Sequence, residues 1–117
     1  MLSLPSSMSL AQKVEKACEG TTYDVSVCLL REYKALDAKL SICYRKALES
    51  TRNYTQHDTQ KLKDAQRRWI AYTDAECNAV LGLWGGGSGG PSARTVCLIT
   101  HTQARIAELE ESHIIEP

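Results

Sequence analysis

Five cysteines are the residues of this sequence whose types and spacing best suit chemistry. None of them forms a C-x-x-C pair, and no cysteine–histidine group has the paired short spacings of a structural zinc site, so we expect no metal. Disulfides are the better interpretation, because a chain of 117 residues has a modest core that covalent bonds can stabilise. Disulfides in turn require an oxidising compartment, such as a bacterial periplasm or the cell exterior. The cysteines are Cys18, Cys28, Cys43, Cys77 and Cys97.

A glycine run imitates two catalytic motifs. Residues 85–90 read GGGSGG and satisfy both G-x-G-x-x-G and G-x-S-x-G. A dinucleotide fingerprint must follow a strand, and a nucleophile elbow needs a strand-to-helix turn in a large α/β sheet. A helix is predicted before this run, and the chain is too short for either fold. We therefore expect no catalytic role for Ser88 and no cofactor.

The histidines and carboxylates predict no acid–base pair either. His101 lies four residues after Cys97, but a cysteine in a disulfide cannot bind a metal, so we expect His101 to be solvated. Carboxylates such as Asp64 and Glu108 stand among Lys and Arg residues, where ion pairing on a helix surface is the ordinary interpretation. These patterns indicate a binding protein and not an enzyme.

Helices must position all of these residues. Only three prolines occur, at positions 5, 91 and 117, so long helices are allowed. Apolar residues recur at spacings of three and four, which predicts helices, and no period-2 pattern predicts a strand. The fold class is therefore all-α, a small antiparallel helical hairpin or bundle with two long helices and two disulfides, in a single domain spanning 1–117. The predicted helices span about 9–18, 22–50, 55–82 and 93–112, with Thr21 or Thr22 and Thr55 as N-terminal caps and a glycine-rich loop at 83–92.

This helix layout restricts which cysteines can pair. Cys28 and Cys43 fall on one predicted helix, where a rise of about 1.5 Å per residue separates their Cα atoms by roughly 22 Å, far beyond the reach of a disulfide. Cys18 and Cys28 flank a turn between helices, and Cys77 and Cys97 flank the glycine-rich loop, so each pair would connect two helices. Cys43 is left on an apolar stripe, where we expect it to pack as a small hydrophobe.

Charge and hydropathy exclude two classes of partner. The chain carries 14 Lys+Arg and 14 Asp+Glu, so it lacks the basic excess with which proteins bind nucleic acids. It has no run of about 18 apolar residues that would span a membrane.

Residues 1–8 are predicted to be disordered, and the first ten residues lack the features of an intact signal peptide. If the protein is exported, we expect the signal to be missing from this chain.

Residues 62–77, which read LKDAQRRWIAYTDAEC, resemble a motif of the LprI-type lysozyme-inhibitor family of small exported bacterial proteins. The family pattern reads roughly L-x-x-a-Q-R-x-W-x-x-y-R-D-a-e-C, followed by a GGS-like turn, a second cysteine, and an Arg and a Leu near the end. The resemblance spans about residues 18–110, and the spacing of the first two cysteines also fits it. The matching residues are Leu62, Ala65, Gln66, Arg67, Trp69, Tyr72, Asp74, Glu76, Cys77, Gly86, Gly87, Ser88, Cys97, Thr102, Arg105 and Leu109.

The resemblance implies an α-helical, disulfide-bonded protein of the periplasm or envelope. Two residues depart from the family pattern: Thr73 stands where the family usually carries Arg, and Cys43 lies outside the usual cysteine set. Thr73 removes a partner for Asp74, so we expect Arg105 or Arg67 to neutralise that carboxylate. The residues that the resemblance assigns to a structural motif are Gln66, Arg67, Trp69, Asp74 and Arg105.

The resemblance also implies a function, namely an inhibitor or immunity protein that blocks a peptidoglycan-degrading enzyme such as a lysozyme or an effector amidase. Trp84 would be an aromatic anchor beside a loop whose bare backbone can enter a narrow cleft. Two alternatives stay open: Trp84 caps the end of the bundle beside a mere linker, or the chain is a structural or sensing module of the envelope without inhibitory activity. A homo-oligomer is compatible with either function. The predicted partner-binding residues are Trp84, Gly86, Gly87, Ser88 and Gly89.

Overall fold

The computed structural model describes residues 10–52 and 56–111. Within these ranges the chain forms helices and no strand, so the all-α fold class with long helices and two disulfides is confirmed. The predictions for residues 1–8, for a cap at Thr55 and for helix ends at residues 9 and 112 lie outside the described residues. The helices are α1 (Leu10–Ala17), α2 (Thr22–Thr51), α3 (Gln56–Leu83) and α4 (Gly90–Leu109).

The start of α2 is fixed by a capping box, which settles the choice between two threonines. The Thr21 hydroxyl accepts a hydrogen bond from the backbone N–H of Asp24 at 3.1 Å, and the Asp24 carboxylate accepts one from the N–H of Thr21 at 3.1 Å. A disulfide from Cys18 to Cys28, with 5.7 Å between the Cα atoms, ties α1 to the first turns of α2. The N-terminal part of the fold is therefore held by both a cap and a covalent bond.

The fourth helix is the centre of the bundle and contacts the other three. Two clusters of buried side chains pack along α4. The cluster near the start of α4 contains residues from the start of α2, and the cluster near the end of α4 contains residues from the later part of α2, so these two helices run parallel. The third helix runs antiparallel to both. The first cluster contains Val14, Cys18, Leu29 and Ile99, and the second contains Leu40, Cys43, Ala47, Leu62, Ile106 and Leu109.

This topology brings the start of α2, the end of α3 and the start of α4 to one end of the bundle, which we call the loop end. Helices α2 and α3 contact each other much less than each contacts α4, so a groove separates them. No helix in the described part of the chain is long and apolar enough to cross a membrane.

The glycine-rich loop is shorter than predicted. It spans residues 84–89 and not 83–92, because α4 begins at Gly90 and not near residue 93. Glycine and proline disfavour helix interiors, but Pro91 lies in the first turn of α4, where a helix does not use backbone N–H donors. The predicted start of this helix was therefore about one turn too late.

Cys43 packs in the second cluster, as predicted. It is buried and is the one cysteine of the described chain without a disulfide. Its thiol lies 3.9 Å from the Glu110 carboxylate. Burial and then the nearby charge of Glu110 raise the pKa of the Cys43 thiol, which disfavours the reactive thiolate.

Candidate functional site

A disulfide between Cys77 and Cys97 braces the loop end. It joins α3 to α4 with 5.6 Å between the Cα atoms, and Cys77 is fully buried. The two sulfurs and a ring nitrogen of His101 lie within 4.8 Å of one another, but sulfurs bonded to each other are not thiolate ligands. His101 is partly buried, and not solvated as predicted, because the edge of one ring meets the face of the other between His101 and Tyr72, with 5.7 Å between ring centroids.

Hydrogen-bonded turns form the loop that this disulfide closes. The N–H of Gly87 donates to the carbonyl of Trp84 at 2.8 Å, and the N–H of Gly90 donates to the carbonyl of Gly87 at 3.1 Å. Gly85 and Gly86 have positive φ angles of 54° and 84°, which side-chain-bearing residues rarely adopt. The loop therefore has a defined shape and is not an open linker.

Trp84 lies against the backbone of this loop. A Cβ atom at Gly89 would come within 2.6 Å of the indole ring, so only glycine leaves room for it. The side chain is nevertheless 51% exposed, and the neighbouring Leu83 is 86% exposed. The Trp84 ring thus lies against the loop, and about half of the side chain is exposed to solvent.

The first turns of α2 also carry exposed apolar side chains, at the same end of the bundle. Tyr23, Val27 and Leu30 follow one another at helical spacing and are exposed. These residues were not predicted, although their spacing of four and three residues indicates a second apolar stripe on α2. We call the following exposed residues, at the end of α3 and the start of the loop, the loop-end surface: Leu81, Leu83 and Trp84.

The predicted loop residues differ in exposure. Gly86, Gly87 and Ser88 are exposed, and Gly89 is partly buried under Trp84. In the described part of the chain, no histidine or carboxylate hydrogen-bonds the hydroxyl of Ser88. Residues 86–88 therefore lie at the surface of the protein.

The groove between α2 and α3 is the second candidate site, and the sequence pattern did not predict it. Its volume is about 230 Å³. Side chains of α2 and α3 form the two walls, and α4 supplies the floor. The lining residues are Tyr33, Asp37, Leu40, Gln66, Trp69, Ile70, Thr73, Asp74, Leu98 and Thr102.

Some polar side chains in this groove have hydrogen-bond or ion-pair partners, and one buried hydroxyl has none among the described residues. Thr73 is only 4% exposed, and its hydroxyl has no hydrogen-bond partner among the described residues. Asp74 is paired with Arg94 at 3.5 Å, so the prediction that Arg105 or Arg67 neutralises it is wrong. Arg67 bonds instead to Asp64 on its own helix, at the surface.

A buried pair lies beneath the groove and links α3 to α4. The Nε of Arg105 donates to the side-chain oxygen of Gln66 at 2.9 Å, and both residues are buried. Arg105 also pairs with Glu108 at 3.2 Å, while its Nη2 is buried with no partner in the described chain. The five motif residues therefore do not form one site: Gln66 and Arg105 meet in the interior, Trp69 packs beside the second cluster, and Arg67 and Asp74 lie at the surface.

Neighbouring charges in the groove change the pKa of Tyr33. Burial and then the carboxylate of Asp37 raise the pKa of the Tyr33 hydroxyl, Asp74 acts in the same direction, and Arg94 acts against them. Tyr33 lines the same groove as both of these carboxylates. Asp37 has no ion-pair partner in the described ranges.

Comparisons with known proteins give a family match and a relative of this chain. The family model described as lysozyme inhibitor LprI matches residues 15–109. An uncharacterized protein of Rhizobium meliloti (strain 1021) is 34% identical over 113 residues, covering 86% of this chain and 81% of that protein. No solved structure gives a significant match.

Proposed function

The chain belongs to the lysozyme inhibitor LprI family, and from this premise we propose that it is a periplasmic, non-enzymatic inhibitor that binds and blocks a peptidoglycan-degrading enzyme. The enzyme would be a lysozyme or an effector amidase, in which case the chain acts as an immunity protein. The family description implies a protein partner, namely a hydrolase. Two disulfides support export to an oxidising compartment.

The observation that carries the proposal is the exposed apolar surface around the braced loop. Leu83 is 86% exposed and Trp84 is 51% exposed, although both side chains are large and apolar. Soluble proteins rarely expose neighbouring large apolar side chains without a partner that covers them, and tryptophan is the residue most enriched in interface hot spots. We infer that Trp84 is the main contact with the enzyme.

Preorganisation strengthens this interpretation. Association costs free energy when a loop must become ordered, and that cost falls when the loop already has its bound shape. Here the Cys77–Cys97 disulfide and the hydrogen bonds from Gly87 and Gly90 fix the loop before any partner arrives. The exposed backbone of Gly86 and Gly87 adds no side chain that would obstruct a narrow cleft.

Inhibition of wall digestion by the oxidised chain tests the proposal. We expect Trp84→Ala to raise the inhibition constant about 30-fold, since a hot-spot tryptophan contributes about 2 kcal/mol or more to binding. Ile42→Ala is the matched control, because Ile42 is also an exposed apolar residue but lies on α2 near the second cluster, away from the loop end. Far-UV circular dichroism verifies that both variants fold.

Two outcomes would contradict the proposal at different levels. Equal inhibition by wild type and Trp84→Ala would refute the assignment of the loop-end surface and leave inhibition itself intact. Binding to a hydrolase that continues to digest the wall at its normal rate would refute inhibition and favour the envelope module without inhibitory activity.

A further inference from the structure

We propose that Cys77, Cys97 and His101 bind a zinc ion once the disulfide between the two cysteines is reduced. In the oxidised chain the two sulfurs are bonded to each other and neither is a thiolate, so this site belongs to the reduced state alone. It does not depend on inhibition of a hydrolase, because three side chains of this chain form it without any contact with a partner.

The three ligand atoms already lie close together. The two sulfurs and a ring nitrogen of His101 are all within 4.8 Å of one another. In a tetrahedral site with Zn–S bonds of about 2.3 Å and a Zn–N bond of about 2.0 Å, neighbouring ligand atoms lie about 3.5 to 3.8 Å apart. After the sulfur–sulfur bond breaks, rotation of the cysteine side chains can bring the sulfurs to this separation.

Two helices hold the ligands in a pattern that zinc sites use. Cys97 and His101 are four residues apart on α4, so their side chains share one face of that helix, and the two histidines of the H-E-x-x-H zinc motif have the same spacing. Cys77 comes from α3. Tyr72, also on α3, meets the His101 ring edge to face and restricts its orientation. A bound metal would therefore connect α3 to α4, as the disulfide does in the oxidised chain.

The ligand types favour zinc over the common alkaline-earth ions. Thiolates and imidazole suit Zn²⁺, whereas Mg²⁺ and Ca²⁺ prefer oxygen ligands. Three protein ligands leave the fourth tetrahedral position to water. Cys97 and His101 are partly exposed, so an ion can approach the buried Cys77 from their side.

The other disulfide lacks these features and serves as an internal control. Among the described residues, no histidine or carboxylate completes a comparable group with Cys18 and Cys28. Two cysteines held close together are therefore common to both ends of the comparison, and the histidine is present at only one of them.

A dithiol is the class of reductant that would expose the site. Its thiolate attacks the partly exposed Cys97 sulfur, a mixed disulfide forms, and Cys77 leaves as a thiolate. The second thiol of the reductant then displaces Cys97 and closes a cyclic disulfide, so two electrons and two protons pass from the dithiol to the two cysteines. Zinc binding releases those two protons from the cysteine thiols to the solvent.

Titration of the reduced full chain with Co²⁺ tests this inference, because Co²⁺ replaces Zn²⁺ in such sites and absorbs visible light when thiolates bind it tetrahedrally. A phosphine keeps the thiols reduced. The double variant Cys18→Ala/Cys28→Ala keeps the site, and Cys77→Ala/Cys97→Ala removes it, while each variant keeps three of the five cysteines. We expect the first variant to bind one Co²⁺ with thiolate bands, at least about tenfold more tightly than the second.

A further substitution makes the test specific to the histidine. In the variant that keeps the site, His101→Ala should weaken Co²⁺ binding at least about tenfold, because one of three ligands is lost. Thr100→Ala is the matched control and should leave the affinity unchanged, since Thr100 is an exposed neighbour on α4 outside the ligand group.

Metal binding should also stabilise the reduced fold, because a site that exists only in the folded chain couples binding to folding. Zn²⁺ should raise the urea midpoint of reduced Cys18→Ala/Cys28→Ala, or restore its helical circular dichroism where the metal-free chain is unfolded, and should do neither for reduced Cys77→Ala/Cys97→Ala.

The results separate this site from the proposed function. Equal Co²⁺ affinity of the two double variants, the absence of thiolate bands, or an unchanged affinity after His101→Ala would overturn the zinc site even if a hydrolase is inhibited. Tight binding that His101→Ala weakens and Thr100→Ala does not would support the site even if no hydrolase is inhibited.

Discussion

Removing the disulfide that closes the loop tests how this small fold is stabilised. Cys77 and Cys97 are 20 residues apart in sequence, and Cys18 and Cys28 are 10 apart. The loop-closure entropy of the unfolded chain gives a stabilisation of about 3.3 kcal/mol for the longer loop and about 2.7 kcal/mol for the shorter one. Both values are large beside the total stability of about 5 to 15 kcal/mol that is typical of natural domains.

The test compares the double variants Cys77→Ala/Cys97→Ala and Cys18→Ala/Cys28→Ala with the wild type. Alanine is the appropriate replacement because Cys77 and Cys18 are buried, where a serine hydroxyl would have no partner. Unfolding in urea is followed by circular dichroism. With a slope of about 2 kcal/mol per molar urea, the midpoint should fall by about 1.6 M and about 1.3 M, respectively.

Removing both disulfides should lower the free energy of unfolding by about 6 kcal/mol and leave much of the chain unfolded without denaturant. Reduction of the wild type is the chemical control and should give the same result. A chain without either disulfide that keeps the wild-type urea midpoint would refute the reasoning, because the core around α4 would then suffice alone.

Three further predictions concern the buried pair, the free thiol and the loop. Gln66→Leu should cost about 2 to 3 kcal/mol in urea unfolding, because the buried guanidinium of Arg105 loses its acceptor; a loss below about 0.5 kcal/mol would contradict this. Cys43 should react with a thiol reagent at pH 8 only as fast as the chain unfolds, because burial and a neighbouring carboxylate raise its pKa. Gly89→Ala should displace the indole and weaken inhibition, whereas Gly82→Ala, which meets no atom within 4 Å, should not; equal inhibition by both would argue against the loop.

The helices were predictable because their apolar spacing is a local property of the sequence. The apolar residues of α2 recur every three or four positions, and the structure places α2 and α3 within about one residue of the predicted bounds. The disulfide pattern followed from the same layout, because a straight helix keeps Cys28 away from Cys43. The start of α4 was missed because propensity describes helix interiors, while Gly90 and Pro91 occupy its first turn.

The groove was not predictable because it depends on which helix is central. Nothing in the spacing of α2 or α3 indicates that α4 separates them, and the burial of Thr73 follows from that arrangement. The partner of Asp74 was missed for the same reason. Arg94 lies 20 residues away in the sequence, on another helix, and its long side chain reaches back past Asn78 to the carboxylate.

The loop-end surface was predicted in part. The sequence placed Trp84 beside an exposed glycine loop, but it did not reveal that the indole lies against Gly89. The exposure of Tyr23, Val27 and Leu30 was not predicted either, because the sequence of a helix with two apolar stripes does not reveal which stripe faces the core.

Titration of the oxidised chain into muramidases and peptidoglycan amidases, with the rate of wall digestion as the readout, tests the central claim most directly. We predict that at least one of these enzymes is inhibited to completion at a fixed ratio of chain to enzyme, as expected for a protein that occupies the active-site cleft. Undiminished digestion by every enzyme at excess chain, with no complex detected in solution, would contradict the assignment of this protein as a hydrolase inhibitor.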